Sequence, residues 1–92
     1  MWTVIEGPRT RKSIRKLPLE ILKRYEKWKR VVEVSGPQAL RLLSGLADEA
    51  LMGKWFGYRS SRLNIKYRLI YRVDNKNIIV EVFDINAHDY RR

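Results

Sequence analysis

His88, Asp89 and Tyr90 stand side by side in AHDYRR, and the histidine is the only one in the chain. An imidazole with an ordinary pKa of about 6.5 gives and takes protons near neutrality. A neighbouring carboxylate orients such a ring or pairs with an arginine. A phenol joins the proton traffic only where positive charge draws its pKa down from about 10. Plainer roles also exist: Tyr90 could pack its ring under a sheet, and Asp89 could be a surface partner of Arg91.

Positive charge is concentrated upstream, in YRSSRLNIKYRLIYRV, which runs from Tyr58 to Val73. From Leu63 onward the odd positions Leu63, Ile65, Tyr67, Leu69, Tyr71 and Val73 are apolar, while Arg62, Asn64, Lys66, Arg68 and Arg72 fall on the even ones. Alternation of this kind buries one face of a strand and leaves the other cationic. A guanidinium is permanently charged and grips a phosphate through two parallel N–H donors. An arginine on that face is therefore suited to a phosphate, and Arg62 shares its parity with Arg68, although a hairpin turn between the two can reset it.

The composition supports an anionic partner. The chain has 92 residues with 20 Lys and Arg against 10 Asp and Glu, a formal charge of +10. A field of that sign attracts polyanions, chiefly by releasing counterions from phosphates. Nucleic acid ranks first as a partner, an acidic protein second and a membrane third, since no apolar anchor adjoins the basic segments. No run approaches the roughly 20 apolar residues of a membrane span and no signal-peptide core opens the chain, so a soluble, cytoplasmic protein is expected. Without cysteine there is neither disulfide nor thiolate metal site, and stability must come from packing. No convincing cluster of His and carboxylates suggests a metal or another cofactor.

The length suits one domain, residues 1–92, with one core. MWTVIEG reads as a strand with Trp2, Val4 and Ile5 inward, stopped at Gly7-Pro8. A basic segment, RTRKSIRK, follows. In LPLEILKRYEKWKRVVEVSGP, Ile21, Tyr25, Trp28 and Val32 fall at helical spacing, Pro18 suits the first turn, and Ser35-Gly36-Pro37 ends the helix. Its other side carries Lys23, Arg24, Lys27 and Arg30. QALRLLSGLADEALMGKWFG predicts a short helix giving way to a glycine-punctuated loop, with Leu42, Leu46, Leu51 and Trp55 as satellite core. Two strands then turn near Asn64 to Lys66, and VDNKN turns into a last strand, IIVEVFDI, whose apolar residues on both parities mark it as central and doubly covered. The expected fold is α+β: an N-terminal strand and two to three helices on one face of a mostly antiparallel four-stranded sheet, with the arginine face open.

RSSRLNIKYRLIYRV, IIVEVFDI and HDY near the end resemble the RelE/HigB superfamily of toxin–antitoxin ribonucleases. SSRLNIKYRLIY is similar to the HigB-type version. The resemblance extends over nearly the whole chain and is specific only from Tyr58 onward. It implies a RelE-like fold and a toxin that enters the ribosomal A site, cuts mRNA there without a metal, and is held inactive by a cognate antitoxin. The RNA's own 2′-hydroxyl is then the nucleophile, leaving a 2′,3′-cyclic phosphate and a 5′-hydroxyl. Arg68 matches the family's strand arginine on the scissile phosphate, and Arg59 or Arg62 its basic position on the preceding strand. His88-Asp89-Tyr90 has the residue types of the HigB-type Asp-Tyr-His cluster in another order.

Such a cut needs a base, charge stabilisation at the phosphorane and a proton for the leaving 5′-oxygen. Arg68, with Arg62 or Arg59, fits the second need as a phosphate clamp, and His88, or alternatively Tyr90, fits the proton transfers with Asp89 orienting. Lys27, Arg30, Lys54, Arg59, Lys66 and Arg91 remain as further phosphate contacts. Two other readings stay open: a ParE-like toxin of DNA gyrase on the same scaffold, and a non-catalytic RNA- or DNA-binding module in which Tyr58 or Tyr71 stacks on bases.

Overall fold

The computed structural model describes residues 1–87. Strand β1 (Thr3–Glu6) stops at Gly7, and Pro8, with no N–H for a strand ladder and a φ suited to a first helical turn, opens α1 (Pro8–Ile14). Helix α2 (Leu19–Ser35) buries Ile21, Tyr25, Trp28 and Val32, the positions its spacing predicts. Each contributes on the order of 2 kcal/mol of hydrophobic stabilisation. Gly36 closes the helix at a φ of 85°, in the left-handed region that glycine enters without a Cβ penalty.

Short 3-10 turns follow at Pro37–Leu42 and Ser44–Leu46. Three residues per turn bring Pro37 and Leu40 inward together, so Leu42, expected in the satellite core, is 85% exposed. A two-residue strand, β2 (Glu49–Ala50), precedes β3 (Arg59–Arg62), β4 (Arg68–Asp74) and β5 (Ile79–Asn86). Among the described residues the sheet has five strands rather than four, in the order β1-β5-β4-β3-β2, and of its pairs only β1 and β5 run parallel. Asn64 Oδ1 accepts from the N–H groups of Lys66 and Tyr67 and forms the turn between β3 and β4, and Asp74 bonds Asn77 in the next.

The main core lies between α2 and one sheet face, where Leu69, Tyr71, Val80, Val82 and Ile85 meet the helix. Trp2 and Val4 pack against it, while alternation turns Ile5, expected inside, to the other face, and it is partly exposed. Strand β5 is central, but its mixed parity has a local cause. Ile70 pairs with Asp84 and Tyr71 with Val82, so Phe83 is an extra, bulged residue that moves the core positions from even to odd.

The second face is not fully open either. Trp55, Tyr58 and Phe83 pack edge to face at 5.4 to 5.7 Å between ring centroids. Ile70 and Leu51 are buried outside the main core cluster. The Leu51–Tyr58 segment therefore shields part of this face and leaves the end of the sheet around Arg62, Arg68 and Asn86. No helix among the described residues is long and apolar enough to cross a membrane.

Candidate functional site

The last residues of β3 and the first of β4 are joined by a tight turn, so Arg62 and Arg68 become direct cross-strand partners. Two guanidinium-bearing positions facing each other on one surface suit an anion bridging them. On its other side Arg68 pairs with Asn86, the last residue of β5. Arg68 is 7% exposed, and its Nη1 lies 3.5 Å from the buried Ser60 Oγ. Packing on both sides restricts the side chain, which lowers the entropy lost when it binds a ligand.

A carboxylate anchors this end of the sheet. Asp84, 4% exposed, accepts from Ser13 Oγ at 3.1 Å, from the Ile85 N–H at 2.9 Å and from Asn86 Nδ2 at 2.5 Å. The Arg9 Nε is 4.0 Å away, and its guanidinium lies over the Phe83 ring. Asp84 thus ties α1 to the strand terminus opposite Arg68. The sequence reading passed over Asp84, Ser60 and Asn86. Only the inward-turned acid at the close of an apolar strand could have signalled the first.

Arg59 does not join Arg68. It pairs with Tyr71, on the α2 side of the sheet, and Asp48 engages its guanidinium with Nε and Nη2 both at 2.8 Å from Oδ1. The other Asp48 oxygen accepts from Ser61 Oγ and from the Tyr71 hydroxyl, each at 2.6 Å, and Ser61 in turn accepts from Trp28 Nε1 at 3.0 Å. The Asp48 side chain is fully buried. Burial works against the Arg59 charge, but the Asp48 bond and charge outweigh it and hold its pKa above the ordinary value. Burial first, then Asp48, pushes the Tyr71 phenol well above its usual range. Arg59 is a structural cation, which corrects its placement as a clamp, and Tyr71 is closed to base stacking.

Lys54 and Lys66 are exposed on their turns, and Lys27 and Arg30 are exposed on α2. Leu51 is buried as expected and Leu46 and Trp55 half-buried. His88, Asp89, Tyr90 and Arg91 lie outside the described residues. Among the described residues no group of three or more His, Cys, Asp or Glu could hold a metal ion.

No protein-family model matches the chain, and no curated protein matches it by sequence. Solved structures do. The YoeB/ParE toxin of Agrobacterium tumefaciens aligns with a TM-score of 0.76 at 17% identity, over 95% of this chain and 99% of that one. The archaeal RelE–RelB complex of Pyrococcus horikoshii gives 0.74 at 19% identity, over 94% and 93%. The RelBE2 toxin–antitoxin complex of Mycobacterium tuberculosis gives 0.70 at 24% identity, over 95% and 98%. At these identities what is shared is the architecture: the chain has the RelE-like toxin fold over nearly its full length. RelE- and YoeB-type chains carry that likeness, and the HigB-type subtype expected from the sequence motifs is not supported.

Proposed function

We propose that this chain is the toxin of a toxin–antitoxin pair and an endoribonuclease that cuts translated mRNA. The likeness to RelE- and YoeB-type toxins, three of them solved as toxin–antitoxin complexes, supports the class. The observation that carries the chemistry is the Arg62–Arg68 cross-strand pair set opposite Asn86, where β5 ends and the chain continues into His88-Asp89-Tyr90.

In the cut, the 2′-oxygen forms a bond to phosphorus as the bond to the 5′-oxygen breaks. The products are a 2′,3′-cyclic phosphate and a 5′-hydroxyl. Arg68, assisted by Arg62, stabilises charge on the non-bridging oxygens. His88 transfers the proton, with Tyr90 as the alternative donor or base, and Asp89 orients the imidazole. Asp84 holds the strand end and is a positioning residue, since Ser13, Asn86 and a backbone N–H already engage its oxygens. So small a set of proton-transfer groups calls for a substrate bent into line by its surroundings, which the ribosome supplies. The partners are then a cognate antitoxin, the ribosome and mRNA, and the place of action is the cytoplasm.

Induction in cells followed by mapping of mRNA 5′ ends tests the reading. Cuts within translated codons, lost in Arg68→Ala and in His88→Ala, are expected. DNA damage without such cuts would favour a gyrase poison, and full toxicity of both folded variants would remove this site.

A further inference from the structure

Two arginines outside the clamp are built alike. Arg9, on α1, holds its guanidinium 5.2 Å from the centroid of the Phe83 ring, with its Nε 4.0 Å from an Asp84 oxygen. Arg72, on β4, holds its guanidinium 5.6 Å from the Tyr58 centroid, with its Nε 2.8 Å from a Glu81 oxygen. Each has a ring beneath it and a carboxylate beside it, yet the two side chains are 62% and 56% exposed. The rings form one block: Tyr58 and Phe83 pack 5.7 Å apart, and Trp55 supports them at 5.5 and 5.4 Å. This block shares the sheet face of the clamp. Arg72 has the parity of Arg68 on β4, four residues or about 13 Å along the strand. A single RNA strand held by a phosphate at Arg68 can therefore continue across the block.

We propose that Arg9 and Arg72 are base-stacking residues: the outer face of each guanidinium receives an unpaired base of single-stranded RNA, with Phe83 or Tyr58 as the ring below. A guanidinium is planar and weakly hydrated, and bases stack on it as they do on an aromatic ring. The carboxylates decide between base and phosphate. Asp84 and Glu81 offset the charge that a phosphate would seek, and they leave the plane open to a base, whose π-face needs no net charge. The rings and acids fix each plane in advance, which lowers the entropy lost on binding. Tyr58, a stacking candidate from its sequence position, then acts as the support of Arg72. That the strand is the mRNA to be cut rests on the function proposed above; the stacking does not.

The probes are two fluorescein-labelled single strands of equal length and charge, an oligouridylate and the same ribose-phosphate chain without bases. Anisotropy titration of the full chain at one salt concentration is expected to show the oligouridylate binding at least tenfold more tightly, the scale of a stacked base. Arg9→Lys and Arg72→Lys, both at exposed positions, keep the charge and lose the plane. Each should weaken the oligouridylate about tenfold and leave the baseless chain unchanged. Equal binding of the two probes would overturn the proposal. So would lysine variants that bind the oligouridylate as the parent does, because charge alone would then suffice, or that weaken both probes alike, because the contact would then be to phosphate. Arg68→Ala should weaken both probes alike. Its failure to do so would tell against the proposed clamp and leave the stacking result standing.

Discussion

Arg68 and Arg59 lie on neighbouring strands and carry the same side chain, yet they face opposite sides of the sheet and are held differently. Arg68 sits on the surface it shares with Arg62 and Asn86, while Arg59 is held by Asp48 on the other face. The distinction was half legible in the sequence. Parity selects Arg62 over Arg59, because a tight turn keeps the even positions together, but Asp48 lies in a glycine-punctuated loop whose partners come from β3 and β4. No local pattern reports such long-range pairing. Two outcomes follow. Arg68→Lys keeps the charge and loses the two-pronged donor, so single-turnover mRNA cleavage should fall about 10²-fold with the fold intact by circular dichroism. Asp48→Ala leaves the donors of Arg59, Ser61 and Tyr71 without their acceptor. It should cost about 3 kcal/mol in urea unfolding, the scale expected when one partner of a buried ion pair is removed.

At the level of elements, α2 was the most readable part of the chain, since its four buried residues fall on one face at helical spacing and Pro18 and Gly36 mark its ends. Strand β5 was read as central, correctly, but its mixed parity comes from the Phe83 bulge, which sequence cannot tell from burial on two faces. The cover over the second face was hidden for a similar reason, since Trp55 reaches Phe83 only through tertiary folding. Trp28 joins the elements: it lies 5.3 Å from the Tyr71 ring and 6.2 Å from that of Tyr25, and donates to Ser61. Trp28→Ala should cost about 3–5 kcal/mol, a large share of a small domain's stability, read as a lowered urea midpoint. Two buried phenols add an alkaline limit. Burial, and then the bond to Glu6, raise the pKa of Tyr25, while burial and Asp48 raise that of Tyr71. A pKa raised in the folded state means the stabilisation is complete below the unfolded value of about 10 and declines as pH rises above it. Unfolding free energy should drop by up to about 1.4 kcal/mol per pH unit per phenol between pH 10 and 11. Tyr25→Phe should flatten that slope; an unchanged slope would show that the phenol does not titrate with unfolding.

For the whole molecule the governing quantity is the charge of +10 on a chain whose Cα radius of gyration is 12.0 Å. Charge alone would draw RNA to the protein without making it cut, because attraction to phosphates is not alignment of a 2′-oxygen with a leaving group. Binding and cleavage should therefore separate on free RNA. On single strands each phosphate contact contributes a slope of about −0.7 in log affinity against log salt, so about five contacts imply a loss near 10²-fold for a fourfold rise in salt. Replacing one peripheral cation, as in Arg30→Gln, should reduce that slope by about 0.7 wherever Arg30 meets a phosphate. Arg68→Ala should change it by a similar step while removing cleavage on ribosomes. Anisotropy titrations of unstructured RNA at several salt concentrations, run beside cleavage of the same sequence free and on translating ribosomes, measure both quantities. Tight, salt-sensitive binding of free RNA with cleavage confined to the ribosome is expected. Efficient cutting of free RNA would mean that the arginine pair and the His88 tail align the phosphodiester unaided.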